Sequence, residues 1–354
     1  MSADVIVVGG GVIGLFAAAA LAERNFTVTV IGERKPGEAS PAAAGMLAPS
    51  VEKASGPAHD FAIAARDRYP DRVAFLEERT GIKVPLNRLG ILQVALSQKG
   101  ITGLRKTAVA TARWLDQKEL RDIEPTLSHA VGAMYNAHDG AVDNTILLSA
   151  LEKYASDSDR ITTVVDVATE ITAHGSSVTV KTRSHLSHSA PRVVLAAGAW
   201  AREIPGARFA KAVQPARGQL VSYSTALLRH VAYGPRGYLV PRGTSTIGGS
   251  TMENVGYDAS ITDAGVEKVR AAAEEICPAL SSSNTRQAWA GLRPVTPDML
   301  PIIGPDPEQP ALIYACGHSR NGILMAPLTG DLIADLVTGT PLSFDLSQFR
   351  PDRF

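Results

Sequence analysis

Six residues near the start of the chain, Gly9-Gly10-Gly11-Val12-Ile13-Gly14, satisfy the pattern G-x-G-x-x-G. That spacing suits a turn whose backbone meets a pyrophosphate. Gly9 permits the tight turn, Gly11 lets the main chain approach the phosphates, and Gly14 lets a helix pack close to the preceding strand. The helix that opens at Val12 and Ile13 points its positive end at the anion. The pattern expects an acid about 20 residues further on, to take the ribose hydroxyls. Gly32 and then Glu33 stand there, and Arg34 beside Glu33 is a second candidate for the adenosine end. A glycine-rich turn without a ligand would carry the same letters, and the motif does not separate NAD from FAD. Its context, a strand before and a helix after, favours the dinucleotide.

The elements that must hold this turn are legible around it. Asp4 to Val8 is a continuous apolar run, as in a buried parallel strand. Val12 to Arg24 is alanine-rich and helix-favouring, and Thr27 to Ile31 is a second strand rich in β-branched residues. Together they form a βαβ unit. Glu33 to Ser50, rich in Gly, Pro, Ala and Ser, reads as a loop of special shape. The pattern predicts helices over His59–Arg79, Lys118–Ile123, Asn144–Tyr154 and Asp263–Cys277. It predicts strands near Leu89–Leu96, two between Arg160 and Val180 separated by Ala173–Ser177, and a buried one at Arg192–Ala197. Ser184–Ser189 reads as a solvated loop with two histidines. Runs from Gln219 to Ser250 broken by Gly and Pro predict an antiparallel sheet. From Leu312 the chain again reads as a strand, a glycine-rich turn and a helix.

The expected fold class is therefore α/β, α+β overall. A discontinuous βαβ domain carries an inserted domain built on a large antiparallel sheet. The expected boundaries are 1–85, 140–215 and 290–354 for the first domain, and 86–139 and 216–289 for the second.

Composition narrows the function. The chain has 354 residues, with 35 basic and 35 acidic side chains, so its formal net charge is zero. Binding to nucleic acid or an anionic membrane usually leaves a basic excess, and none is present. Cys277 and Cys316 are the only cysteines, too few for a disulfide scaffold and without the close ligand pairs of a zinc site. No metal site is expected, and a reducing cytoplasm fits best. The apolar run from Val5 to Ala22 is split by Gly9, Gly10, Gly11 and Gly14, so it reads as neither a membrane span nor a signal segment.

Five regions taken together resemble the D-amino-acid oxidase superfamily, most closely its glycine oxidase branch. They are GGGVIG at 9–14, SPAAAGMLAP at 40–49, LAAGAW at 195–200, YLVPR at 238–242, and AGLRPVTPD at 290–298 with GHSRNGILMAP at 317–327. The resemblance spans nearly the whole chain, and GLRP followed by GHSRNGI is far more specific than the glycine turn. It implies a flavoprotein that binds FAD, without a covalent bond because neither cysteine sits in an attachment context. One departure stands out: glycine oxidases end the second strand on the ribose acid, whereas here Gly32 holds that slot and Glu33 follows.

The resemblance also implies site residues. Arg293 would bind a substrate carboxylate, which needs a charged and preferably bidentate partner. Tyr238 would add a hydrogen bond. Arg320 would either line the substrate cavity or bridge two domains. Ala43, Ala44, Gly45 and Met46 would lie against the flavin, with Ala197, Gly198 and Trp200 packed on the cofactor. Val167 would hold the adenine end through its backbone. His318, Arg320, Asn321, Gly322 and Ile323 would surround the ring, with the helix start favouring negative charge on it; His318 is read as structural rather than as an acid or base.

The implied reaction is oxidative deamination of a small amino acid such as glycine, sarcosine or a small D-amino acid. A hydride would pass to flavin N5, and dioxygen would be reduced to hydrogen peroxide. Sequence leaves open a dehydrogenase with another electron acceptor, a flavin-binding module without turnover, a homo-oligomer, and a place in thiamine thiazole synthesis.

Overall fold

The Val5–Val8 strand is buried along its whole length because both its faces are covered. Val5 and Val7 point into one core with the helices Val12–Glu23 and Gly322–Thr338. Ile6 and Val8 point into a second core, under a three-stranded sheet of Ala168–His174, Ser177–Thr182 and Ser187–Ala190. A strand covered on both sides has no polar face, which is why its sequence is apolar without alternation. The computed structural model describes residues 3–51, 56–175 and 177–354.

The strand lies inside a six-stranded sheet. Its order is Ile302–Pro305, Leu312–Cys316, Arg192–Leu195, Val5–Val8, Val28–Ile31 and Ile161–Val164. Every neighbouring pair is parallel except the first. The sheet thus draws on the beginning, middle and end of the chain, as the sequence led us to expect of the α/β part.

The second large sheet has eight strands: Thr285–Val295, Gln214–Tyr223, Ser245–Gly249, Tyr238–Arg242, Val231–Tyr233, Ile91–Ala95, Gly132–Asn136 and Arg113–Asp116. It is antiparallel apart from one pair, Val231–Tyr233 with Ile91–Ala95. The helix Asp263–Ile276 packs on one face through Val269, Ala273 and Ile276. The other face meets Ala44, Ala48 and Val51 through Leu220, Val240 and Ile247. The 40–51 segment is therefore held between the sheet and the glycine turn.

Several local expectations needed correction. The helix expected over His59–Arg79 is two, Pro57–Asp67 and Tyr69–Thr80. Pro70 lies at the start of the second and lacks the N–H that a continuous helix would need there. The Arg160–Val180 stretch holds three strands rather than two, since Ile161–Val164 joins the parallel sheet and the next two form a hairpin. Ser187–Ala190, expected as loop, pairs with Ser177–Thr182 and leaves His188 half-buried. The Gln98–Thr107 helix and the Arg113–Asp116 and Gly132–Asn136 strands had no clear sequence signal.

The glycine turn shows how tightly its elements meet. Gly9 has φ +120°, and a side chain there would strike the Ala196 carbonyl. A Cβ on Gly14 would overlap the Gly9 carbonyl oxygen and press the Val7 side chain at 3.2 Å. Gly14→Ala should therefore destabilise the protein by about 1–3 kcal/mol, the usual cost of overpacking. Urea denaturation of the variant checks this; a stability equal to wild type would mean that helix and strand are less closely packed than described.

Candidate active site

A cavity of about 480 Å³ lies where the two large sheets approach, and the glycine turn forms one part of its wall. Gly9, Gly11, Val12 and Ile13 line it, with Gly32 and Glu33 beside them. Gly14 stands just behind the lining. The helix Val12–Glu23 has no side-chain cap of its own. One of its free N–H groups, at Val12, donates to the Ser40 hydroxyl at 3.0 Å. The Gly32 departure has a steric reason: a Cβ there would come within 2.7 Å of the Gly10 nitrogen. An acid at this position could not coexist with the turn as built, so the carboxylate moves one residue on, to Glu33.

Glu33 is half-buried and ion-paired with Arg183. The Arg183 backbone N–H donates to the Val167 carbonyl at 2.8 Å, so one residue ties Glu33 to Val167. Val167 lines the cavity, and its own N–H donates to the Asp166 carboxylate at 2.7 Å. Hydrogen bonds, first from Ser184, hold the Asp166 carboxyl well below the usual range. Arg34 does not line the cavity; it turns to Glu38, at 2.7 Å, and to Glu152. Lys35 lines the wall instead, its ammonium 5.2 Å from the Trp200 ring centroid. Burial pushes that ammonium below its ordinary value.

Ala42, Ala43, Ala44, Gly45 and Met46 line the next stretch. Three side chains fix this loop through its carbonyls. Trp289 Nε1 donates to Ala42 at 2.9 Å, Asn144 Nδ2 to Ser40 at 2.7 Å, and Arg242 Nη2 to Ala44 at 2.9 Å. Arg242 also reaches the Asn144 side-chain oxygen at 2.5 Å. Ala197, Gly198 and Trp200 follow the Arg192–Leu195 strand and line the same cavity. Trp200 stacks on Tyr257 at 6.1 Å, whose hydroxyl donates to Glu203 at 2.9 Å.

His318, Arg320, Asn321, Gly322 and Ile323 complete the wall on the C-terminal side. The helix Gly322–Thr338 starts there, and its cap residue Asn321 makes no side-chain bond to it. Its first N–H groups thus keep their partial positive charge toward the cavity. His318 is buried, with Nε2 3.1 Å from the Thr329 hydroxyl. Burial drives its pKa down to about 3, so the ring is neutral at ordinary pH, which agrees with a structural role. Arg320 is exposed. Cys316 also lines the wall, and burial pushes its thiol up to about 12.

Arg293 and Tyr238 meet on the large sheet. Arg293 leaves the Thr285–Val295 strand and leans across the neighbouring strand at Gly218, where a Cβ would collide with the guanidinium. Tyr238 leans across the Ser245–Gly249 strand at Gly249, where a Cβ would collide with the phenol ring. The two side chains thus tilt toward each other over strands that lack side chains at the crossing points. Arg293 Nη2 donates to the Ser250 hydroxyl at 2.6 Å and Nη1 to the Thr251 carbonyl at 3.0 Å. Among the described residues no carboxylate pairs with this guanidinium. Tyr238 stacks on Tyr233 at 6.3 Å, and its hydroxyl has no partner among the described residues.

The expected site residues therefore converge on one cavity, except Arg34 and the packing residue Gly14. Ser40, Lys35, Asp166, Tyr233 and Ser250 were not singled out from sequence. Ser40 lay within a recognised stretch, and its capping bond crosses 28 positions. Ser250 carried no signal, since a serine after two glycines reads as a turn. Among the described residues no acidic, histidine or cysteine cluster could hold a metal ion, and no helix is long and apolar enough to cross a membrane.

Two helix starts and a glycine turn that any side chain would fill suit a dinucleotide with a second anion near Arg293. The sequence matches the family described as FAD dependent oxidoreductase over residues 4–336. It is 34% identical over 370 residues to the glycine oxidase of Geobacillus kaustophilus (strain HTA426), covering 99% of this chain and 97% of that protein. It is 36% identical over 366 residues to the bifunctional protein ThiO/ThiG of Synechocystis sp. (strain ATCC 27184 / PCC 6803 / Kazusa). That match covers 100% of this chain and 54% of the relative, so the chain spans about half its length. The crystal structure of glycine oxidase from Geobacillus kaustophilus superposes with a TM-score of 0.92 at 33% identity, covering 100% of this chain and 99% of that one.

The neutral His318 gives a pH prediction. Unfolded, the ring takes a proton below about 6.5; folded, it refuses one until about pH 3. The unfolded state then binds more protons across that window, so stability falls as pH drops through it, by at most about 1.4 kcal/mol per pH unit for one group. His318→Gln should flatten the acid side of the stability profile below pH 6.5, read by urea titrations at several pH values. An unchanged slope would mean that His318 is protonated in the folded protein.

Proposed function

The chain belongs to the FAD-dependent oxidoreductases of glycine oxidase type, and from that premise we propose that it deaminates a small amino acid oxidatively. Glycine, sarcosine and small D-amino acids are the substrate class. The observation that carries this reading is Arg293, a guanidinium in the cavity wall whose partners among the described residues are a hydroxyl, a carbonyl and the Met252 thioether, all of them neutral. A charge so placed, with no carboxylate beside it among the described residues, is matched to a carboxylate that arrives with the substrate.

The lining supports a place for the cofactor. The glycine turn and the start of the Val12–Glu23 helix would take the pyrophosphate. Glu33 would take the ribose, and Val167 the adenine end. Residues 43–46 and 318–323 would surround the ring. FAD, when bound, supplies the two-electron acceptor that takes a hydride from the substrate α-carbon and is reoxidised by dioxygen with release of hydrogen peroxide. Cys316, kept as a thiol by burial, suits attachment without a covalent bond.

The chain's own work is orientation. Arg293 and Tyr238 hold the carboxylate at two points and so restrict how the α-carbon can turn. Ser250 and Thr251 keep the guanidinium fork from rotating away. The rings of Tyr233 and Tyr238 and the side chain of Leu220 occupy the wall nearby, which favours a small group on the α-carbon. The substrate reacts as the free amine, its ammonium proton having passed to solvent before the hydride leaves, and neutral His318 supplies no acid to return it. The imine that forms as hydride and proton leave is hydrolysed by water to a 2-oxo acid and ammonia, or methylamine where the substrate is sarcosine.

A substrate panel under air with peroxide detection tests the reaction. Glycine or a small D-amino acid should give peroxide, and amines without a carboxylate should be poor substrates. Substrate-dependent bleaching without peroxide would replace dioxygen with another acceptor. Arg293→Ala should lower kcat/KM by about two to four orders of magnitude, because removing one partner of a buried ion pair costs about 3–5 kcal/mol. Arg293→Lys should recover only part, since an ammonium lacks the planar fork. FAD content should be kept in both. Normal glycine oxidation by Arg293→Ala, or failure only through loss of FAD, would make this arginine structural.

A further inference from the structure

We propose that Tyr69, remote in sequence from every residue of the cavity wall, is a positioning residue that fixes the helix start facing the flavin. The observation begins with a proline. Pro327 lies inside the helix Gly322–Thr338 and is buried. In an α-helix the carbonyl of residue 323 accepts from the N–H of residue 327. Proline has none, so the Ile323 carbonyl is left without its helical donor. The Tyr69 hydroxyl supplies the missing hydrogen: it donates to the Ile323 carbonyl oxygen. Tyr69 heads the helix Tyr69–Thr80 and is 1% exposed. Burial pushes its phenol far above the usual range, so it remains a donor at every working pH.

The site of this repair matters. Ile323 is the second residue of its helix, and both Gly322 and Ile323 line the cavity. The peptide group that ends in the Ile323 carbonyl carries the Leu324 N–H, one of the free donors of the first turn. Hydrogen bonds in a chain polarise one another. A donor on the carbonyl therefore strengthens the partial positive charge that this turn presents to the cofactor. Without the phenol, a buried carbonyl would be orphaned and would draw the turn out of line to find water. The effect is on the ring's tolerance of negative charge. It rests on FAD as the cofactor and not on which amino acid is oxidised.

Sulfite is a suitable probe, since it donates an electron pair to oxidised flavin and leaves the ring negatively charged. In FAD-loaded Tyr69→Phe, sulfite should bind about two- to five-fold more weakly than in wild type, the size expected for a helix-terminus charge effect. The flavin midpoint potential should become more negative. Pro327→Ala restores an N–H at the position that the Ile323 carbonyl lacks. The double variant Tyr69→Phe/Pro327→Ala should therefore return to wild-type sulfite affinity. A folded, FAD-loaded Tyr69→Phe that binds sulfite like wild type would overturn the proposal, whatever its melting temperature. So would a double variant that stays as weak as the single one. If Tyr69→Phe does not fold, the double variant decides alone. Folding with wild-type sulfite affinity supports the role, and failure to fold or an altered affinity refutes it.

Discussion

Everything in this protein is arranged around a place where three stretches of backbone nearly touch. The turn at Gly9–Gly10, the end of the second strand at Gly32, and the Ala196–Ala197 segment meet with no room for a Cβ on Gly9 or Gly32. Side chains are excluded so that main-chain N–H groups can face a ligand. A protein that uses backbone for this purpose loses the side-chain contacts that would otherwise stabilise the spot. The burial of the parallel strands and of the helices Val12–Glu23 and Gly322–Thr338 against one core compensates. The position of Glu33 is one consequence. The carboxylate sits one residue past the strand because the strand's end is filled by the turn.

The same economy of side chains appears on the antiparallel sheet. A flat sheet face presents its side chains straight outward, and two residues on strands three apart do not ordinarily converge. Gly218 and Gly249 lie on the two strands between Arg293 and Tyr238, and both side chains lean into the space that these glycines leave. Charge is managed with equal restraint. The acids near the adenosine end already have partners, Glu33 with Arg183 and Asp166 with Ser184. Among the described residues the guanidinium of Arg293 has only neutral ones. An anion is thus favoured near Arg293 and at the two helix starts, while protein carboxylates lie beside the expected adenosine.

These features differ in how far the sequence discloses them. The glycine turn was readable because its constraint is local, four glycines within six positions with a strand before and a helix after. The parallel strands were readable because continuous burial leaves continuous apolar letters. The helix break at Pro70 was missed because apolar periodicity continues through it, and only the proline's missing N–H reveals it. The strand at 113–116 lies at the far edge of the large sheet and is mostly exposed, and the buried strand beside it at 132–136 holds no β-branched residue, so neither shows a strand pattern. Arg34 shows the opposite failure. It stands beside the ribose acid in sequence, yet adjacent residues on an extended chain point in opposite directions, and Glu38 and Glu152 were available on its side. Ser250 and Tyr69 were invisible for a different reason. Each acts through a single bond to a residue more than 40 positions away, and no local pattern marks such a bond.

Pro327 connects these threads. A proline five residues into a buried helix ordinarily costs several kcal/mol, because it deletes a hydrogen bond and crowds the preceding turn. Here the lost hydrogen bond is replaced from outside the helix, by a phenol that would otherwise need a buried partner of its own. Two groups that would each be costly alone satisfy one another. The exchange also changes what the helix start depends on. An ordinary first turn is set by its own ladder and frays with it. This one is tied to the Tyr69–Thr80 helix, itself fastened to the body of the C-terminal helix through Asp331, which receives Arg72 and, at 2.9 Å, Arg68. The donors that face the cavity are thereby fixed to the α/β core as well as to the loop at 317–321, whose Asn321 carbonyl accepts from the Met325 N–H at 2.8 Å.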